Sequence, residues 1–145
     1  MENLWIILVI IAASIGLFLL GDYWMKGHAI PKSAERFIWN AVYFIQLKQY
    51  EKALSLLDQM EQEVAVSPEE MCQACVQRAD ANKALGRNEQ AADAYDRLYE
   101  ALTNCEGPLK KNTELLMEIR DCYKACNRAD AFEKWEQLFT SENEE

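Results

Sequence analysis

The first strong pattern along the chain is an uninterrupted apolar run near the amino terminus. Residues 3–21 contain no charged side chain and consist mainly of Leu, Ile, Val, Ala and Phe. A helix of this length rises about 29 Å, close to the hydrocarbon thickness of a bilayer. Aromatic residues lie at both ends of the run, with Trp5 near its start and Tyr23 and Trp24 just after it. Aromatic residues are enriched at both membrane interfaces. The pattern predicts a membrane anchor at 1–25.

Two other interpretations of the apolar run are less favoured. A cleaved signal peptide has basic residues before an apolar stretch of about 7–15 residues. Here an acid, Glu2, precedes the run, and the run is longer. A buried core helix is less favoured because a small domain rarely encloses a helix that is apolar on every side. We therefore expect the lipid bilayer to contact residues 3–21.

The charges that flank the apolar run predict its orientation. No Lys or Arg precedes it, whereas Lys26, Lys32 and Arg36 follow it. Basic residues concentrate on the cytoplasmic side of membrane spans. The sequence thus predicts a single-pass protein of a plasma, inner or organelle membrane, with the amino terminus outside, a linker at 26–31 and the carboxy-terminal domain in the cytoplasm.

Beyond the linker, apolar residues recur at helical spacing and no segment shows the alternation of a strand. Ser67–Glu70 combines an N-cap serine, a proline in the first turn and a glutamate three residues after the cap. Gly86 suits the left-handed residue that ends a helix. Short connections indicate antiparallel hairpins. The predicted helices are 32–47, 50–66, 69–85, 88–104, 111–126 and 129–141.

The fold class predicted from this pattern is all-α. A transmembrane helix is followed by a helical domain at 32–141, made of about three antiparallel hairpins, and by an acidic tail at 142–145. The hairpins repeat, since an alanine lies early in the second helix of each pair, and a large side chain follows it four residues later. These pairs are Ala53 and Leu57, Ala91 and Tyr95, and Ala131 and Trp135.

This pattern resembles the tetratricopeptide repeat, a helix–turn–helix unit of 34 residues. The resemblance covers 32–141. The matching positions are Phe37, Ala41, Phe44, Tyr50, Ala53 and Leu57 in the first unit, Cys75, Ala79, Asn82, Ala91 and Tyr95 in the second, and Leu115, Ile119, Cys122, Ala131 and Trp135 in the third. The units are longer than 34 residues, and Asn40, Arg78 and Glu118 replace the Leu of the signature. A generic helical bundle is the alternative.

The resemblance implies a short stacked solenoid whose first helices line a concave face that binds a peptide or a helix. The partner-binding residues that it implies are Ile38, Trp39, Val42, Ile45, Val76, Asp80, Leu116 and Arg120. The Lys and Asn clamp with which some chaperone-binding members of the family hold a peptide carboxylate is absent from these positions. The segment 37–45 is apolar on nearly every side, so its second face needs the linker, the membrane surface or a partner.

Charge and composition exclude several classes of function. The formal net charge is −9, and all of it falls after residue 36, which disfavours nucleic acid as a partner. The chain has a single histidine, His28, which disfavours histidine-rich metal sites and nucleophilic catalysis that depends on a histidine base. We find no catalytic constellation, and we expect no enzyme activity, no cofactor and no small-molecule substrate. The acids on outer helix faces are interpreted as a solvated surface, or as one that favours basic partner segments: Glu61, Glu63, Asp93, Asp96, Glu100, Glu133 and Glu136.

The five cysteines leave two interpretations open. Four of them form the pairs Cys72/Cys75 and Cys122/Cys126, but both pairs fall inside predicted helices, which disfavours a zinc site. In an antiparallel hairpin Cys72 or Cys75 could approach Cys105 and form a disulfide if the domain faced an oxidising compartment. The predicted cytoplasmic side favours free thiols.

The predicted function is therefore that of a membrane-anchored scaffold or adaptor. It binds a protein partner or helps to assemble and stabilise a larger membrane protein complex. Two alternatives remain at this point: a membrane-tethered receptor that captures basic peptide segments, and an accessory subunit of a membrane enzyme complex.

Overall fold

The computed structural model describes residues 2–27, 32–105 and 108–141. Throughout these ranges the ordered elements are helices and no strand occurs, so the all-α prediction is confirmed. The chain divides into two compact units, residues 1–31 and residues 32–145, which are described separately. Most of the predicted linker at 26–31 and the whole predicted tail at 142–145 lie outside the described residues.

The described residues of the first unit form one helix, α1 (Glu2–Gly27). Its segment Asn3–Gly21 is long and apolar enough to cross a membrane, and none of it is buried within the structure. The hydroxyl of Ser14 donates a hydrogen bond to the carbonyl oxygen of Ile10 at 2.8 Å. This bond satisfies the polar side chain inside the apolar segment, where water is not available as a partner in a membrane.

Three helices of the second unit begin with a side-chain cap. Ser67 accepts a hydrogen bond from the backbone N–H of Glu70, whose carboxylate accepts one from the N–H of Ser67, so the predicted capping box is confirmed. The side chains of Ser33 and Asn112 each accept a hydrogen bond from a backbone N–H in the first turn of two further helices. The helices are α2 (Ala34–Gln46), α3 (Tyr50–Glu63), α4 (Pro68–Ala84), α5 (Asn88–Thr103), α6 (Thr113–Ala125) and α7 (Glu133–Thr140).

Three turns of three residues each join the helices of a pair. In every turn the middle residue has a positive φ: 59° at Lys48, 74° at Gly86 and 57° at Asn127. The backbone N–H groups of the middle and the third residue bond to carbonyls in the last turn of the preceding helix. This is the Schellman arrangement, which satisfies the free carbonyls at a helix end. The predicted left-handed glycine is therefore Gly86, and the other two turns share its geometry.

The last pair differs from the prediction of a regular helix at 129–141. Its second helix opens as a 3-10 turn (Ala129–Phe132), and only α7 that follows is α-helical. A second 3-10 turn (Pro108–Lys111) lies in the long connection between α5 and α6. The N–H of Ala131 bonds to the carbonyl of Arg128, three residues before it, at 3.0 Å.

The core of the second unit consists of two clusters. The smaller cluster joins α2, α3 and Ala74 of α4. The larger one joins α4 and α5 to α6, α7 and the 3-10 turn Ala129–Phe132. Leu57, Tyr95 and Trp135 are fully buried, as the repeat pattern predicts. α2 and α3 pack on α4, and α5 packs on α6. Neighbouring pairs are therefore held together by contacts between their helices.

Candidate functional site

A groove of about 290 Å³ lies where α2 packs beside α4. Ile38 forms part of the buried core below it, and Val42 is half-buried at its side. Trp39 lies on the same helix with 67% of its surface exposed. The residues lining the groove are Ile38, Trp39, Val42, Gln73, Val76, Gln77 and Leu109.

The exposed surface of α2 continues along the helix beyond the groove. Tyr43 is 57% exposed and Leu47, at the end of the helix, is 48% exposed. Trp39, Tyr43 and Leu47 are spaced four residues apart, so they lie along one face of α2. This face leaves large apolar side chains exposed directly beside an apolar groove, an arrangement typical of interaction surfaces.

Four of the eight residues predicted to bind a partner meet in the groove: Ile38, Trp39, Val42 and Val76. The other four do not line it. Ile45 packs against the core cluster of the first hairpin. Asp80 and Arg120 take part in ion pairs, and Leu116 lies in a different hollow.

The hollow that contains Leu116 has a volume of about 310 Å³ and is formed by α6, α7 and the 3-10 turn Pro108–Lys111. Phe139 lines its other side. The guanidinium Nε of Arg120 lies 3.4 Å from an Asp121 carboxylate oxygen on the same helix. The third unit therefore does not extend the groove as the resemblance implies.

The polar residues near the groove are neutral or paired. Gln73 and Gln77 place neutral amides on the α4 side. One turn further, burial raises the pKa of Asp80, whose carboxylate lies 3.5 Å from the ammonium of Lys83. Lys83 also lies 3.3 Å from a carboxylate oxygen of Glu118 on α6. The residues lining the groove carry no ionisable side chain, so its surface is neutral and mostly apolar.

Sequence reasoning missed Gln73 and Leu109 as groove residues. Gln73 lies three residues before Val76, and helical spacing alone could have placed it on the same face. Leu109 belongs to the 3-10 turn between α5 and α6, which the sequence presented as a connection. No local pattern relates that turn to α2, so Leu109 became visible only in the tertiary structure.

Several acids that the sequence analysis interpreted as solvated are paired between hairpins. Glu61 of α3 binds Arg78 of α4 and Arg97 of α5. Arg128 lies 3.1 Å from Asp93 and 3.4 Å from Asp96, both on α5. These acids contact the protein's own arginines, so they are less available to a basic partner than the sequence suggested.

A repeated ion pair connects successive hairpins. Arg87, the last residue of the second turn, pairs with Glu51 in the first turn of α3. Arg128, the last residue of the third turn, pairs with Glu89 in the first turn of α5. Tyr123 of α6 adds a hydrogen bond between these hairpins, since its hydroxyl donates to the Asp96 carboxylate of α5. The same hydroxyl accepts a hydrogen bond from the indole N–H of Trp135 at 3.2 Å.

All five cysteines are free thiols in the structure. In the described part of the chain, no group of three or more His, Cys, Asp or Glu side chains is arranged to hold a metal ion. Cys72 and Cys105 lie close together, with 3.5 Å between their sulfur atoms.

Comparisons of the chain with protein-family models, with curated proteins and with solved structures found no match. The geometry described above is therefore the basis for a functional proposal. The described part of the chain is all-helical, with one helix of membrane-spanning length and a neutral, apolar groove.

Proposed function

We propose that this protein is a membrane-anchored adaptor whose helical domain binds an apolar segment of a partner protein in the groove between α2 and α4. The partner belongs to a membrane complex that the adaptor helps to assemble or stabilise. The observation that carries the proposal is the exposure of Trp39 beside this groove. Tryptophan side chains seated in apolar pockets often dominate the binding energy of protein interfaces.

The helical domain is proposed to be a solenoid similar to tetratricopeptide repeats. Three features support this assignment. The three turns share one backbone geometry at Lys48, Gly86 and Asn127. Nearly all the signature positions of the second unit are fully buried. The ion pair between a turn arginine and the preceding hairpin occurs at both junctions.

The anchor supports an adaptor in a physical way. A helix that holds the domain at a membrane raises the effective concentration of the groove toward other proteins of that membrane. A groove of moderate affinity is then sufficient for stable association. The bases that follow the apolar run 3–21 favour a cytoplasmic domain, and protease accessibility in sealed vesicles measures this orientation directly.

The receptor for basic peptides receives less support. Such a receptor requires acids that are free to bind a basic segment. Glu61, Asp93 and Asp96 instead contact arginines of the neighbouring hairpin, and the groove itself is neutral. An accessory subunit of a membrane enzyme remains compatible with the groove, and it differs from a general adaptor only in the identity of the partner.

The proposal is tested by purifying the full chain from membranes in a mild detergent through a carboxy-terminal tag. We expect a partner protein in stoichiometric amount, retained at high salt because the groove is apolar. Trp39→Ala should reduce the retained partner at least tenfold, since truncation of such a residue costs about 2 kcal/mol or more.

Met117→Ala is the matched control. Met117 is also a large, exposed apolar residue, but it lies on α6 and does not line the groove. The control should retain the partner in full. Equal retention by Trp39→Ala and the unchanged protein would contradict the proposed site, and a capture that disappears with salt would favour the receptor instead.

A further inference from the structure

Cys72 and Cys105 lie at the open end of the hairpin formed by α4 and α5. Cys72 is in the second turn of α4, and Cys105 follows the last residue of α5 by two positions. Their sulfur atoms are 3.5 Å apart, although 33 positions separate them in the sequence. Both side chains are buried, with 1% and 9% of their surface exposed. A disulfide needs a sulfur separation of about 2.05 Å, so an approach of about 1.5 Å joins them.

The other three cysteines are placed differently. Cys75 is fully buried on the same helix as Cys72. Cys122 donates a hydrogen bond to the backbone carbonyl of Asn88 at 3.6 Å. Cys126 follows the last residue of the same helix, and its side chain is in hydrogen-bond contact with Cys122. Each of these thiols would need a different rearrangement to reach a partner on another element. The sequence left open whether Cys72 or Cys75 approaches Cys105, and the structure decides for Cys72.

We propose that Cys72 and Cys105 are a site of reversible oxidation, at which an external disulfide such as oxidised glutathione produces an intramolecular disulfide. Cys105 is the more exposed of the two and reacts first. Its thiolate attacks one sulfur of the external disulfide, forms a mixed disulfide and releases one thiolate. The thiolate of Cys72 then attacks the sulfur of Cys105 and releases the second. The two protein thiols lose two protons and two electrons, and the external disulfide is reduced to two thiols.

Burial raises the pKa of the Cys72 thiol to about 12, and its neighbours Cys105, Cys75 and Glu69 act in the same direction. Cys72 is therefore a poor target for an external oxidant. It is suited instead to the second step, where its target sulfur is already in contact with it. The proximity of the pair compensates for the small fraction of thiolate.

The disulfide would close the end of the hairpin opposite to the turn at Gly86. It would also fix the start of the connection that carries Leu109 to the groove. A link across a loop of this length raises the melting temperature of a small domain by about 10 °C. The same bond reports the compartment of the domain, because it persists in an oxidising compartment and is absent from a reducing one.

The test uses the full chain in detergent, equilibrated with oxidised glutathione. The reaction is quenched with acid, free thiols are alkylated in denaturant, and peptides are mapped without reductant. We expect a peptide pair linked through Cys72 and Cys105, with alkylated Cys75, Cys122 and Cys126. The melting temperature should rise by about 10 °C and return to its starting value with dithiothreitol.

Two variants make the outcome specific. Cys105→Ala should lose the link and the rise in melting temperature, whereas Cys75→Ala should keep both. Circular dichroism verifies that each variant is folded. The proposal is overturned if fragmentation of the linked peptides shows that Cys75 and not Cys72 carries the link, if Cys122 and Cys126 pair instead, if a mixed disulfide with glutathione persists on Cys105, or if all five thiols remain open to alkylation.

Discussion

Lys48 has a left-handed backbone conformation that is unfavourable for a side chain with a Cβ atom. Its φ of 59° matches the 74° of Gly86 and the 57° of Asn127 in the two equivalent turns. Glycine adopts this conformation without a steric penalty, and asparagine does so more readily than most residues. Lysine has neither advantage, so the first hairpin carries strain that the second one avoids.

Replacing Lys48 with glycine should therefore stabilise the domain. We expect Lys48→Gly to raise the free energy of unfolding by about 0.5–1 kcal/mol, measured by urea denaturation of the full chain in detergent. Gly86→Ala should lower it by about 1 kcal/mol or more. A Cβ at Gly86 would meet no atom within 4 Å, so this loss would come from the backbone alone.

Lys48→Ala is the control for this pair of substitutions. Alanine has a Cβ but lacks the charge and length of lysine, so the free energy of unfolding should stay within about 0.5 kcal/mol of the unchanged protein. An equal gain from alanine and from glycine would show that the benefit comes from removing the lysine side chain, and would contradict the backbone argument.

The three turn residues also show where sequence reasoning succeeds at this scale. Gly86 was predictable, because glycine after a helical pattern is a known end signal. Lys48 was not, because lysine gives no signal for a positive φ. Its conformation follows from the packing of α2 against α3, which forces the chain through the same turn.

At the scale of the elements, the small residue early in each second helix has two different environments. Ala53 and Ala91 are fully buried, in α3 and α5 respectively. Ala131 has the equivalent sequence position, but it is half-buried in a 3-10 turn. The close approach of helices that the alanine pattern predicts therefore applies to the first two hairpins.

This difference predicts unequal costs for the same substitution. Ala91→Leu should lower the free energy of unfolding by about 3 kcal/mol or more, because the added atoms have no space in the packed core. Ala131→Leu is the matched control at the equivalent position, and it should cost about 1 kcal/mol or less. Chemical denaturation of both variants measures the difference. Equal costs would contradict the account of the third hairpin.

Helix positions were predicted to within a few residues, apart from the start of the last helix. Apolar spacing and caps determine where α2 to α6 begin and end, and both signals are local. The 3-10 turn before α7 was missed for a physical reason. Over a single turn of four residues, a repeat of 3.0 residues and one of 3.6 place apolar side chains almost identically, so the pattern does not distinguish them.

At the scale of the whole molecule, the groove shows the limit of a repeat argument. The repeat pattern predicted that α2 and α4 contribute Trp39 and Val76 to one surface, and they meet there. It also predicted that Leu116 extends this surface. In the structure α6 packs on α5, and Leu109 from the long connection lines the groove instead. The side chains of long connections fall outside the repeating helix positions, so the repeat pattern does not predict where they pack.

The groove between α2 and α4 is proposed to bind a protein partner of the same membrane. A photoreactive amino acid at position 73 tests it directly, because Gln73 is exposed and lines the groove. The same amino acid at position 62 is the control, because Gln62 is exposed on α3 and does not line the groove. Irradiation of intact membranes should give one discrete protein adduct from position 73, none from position 62, and a loss of the adduct when Trp39→Ala is added. Adducts with lipid alone at position 73, or the same protein adduct from both positions, would contradict the claim.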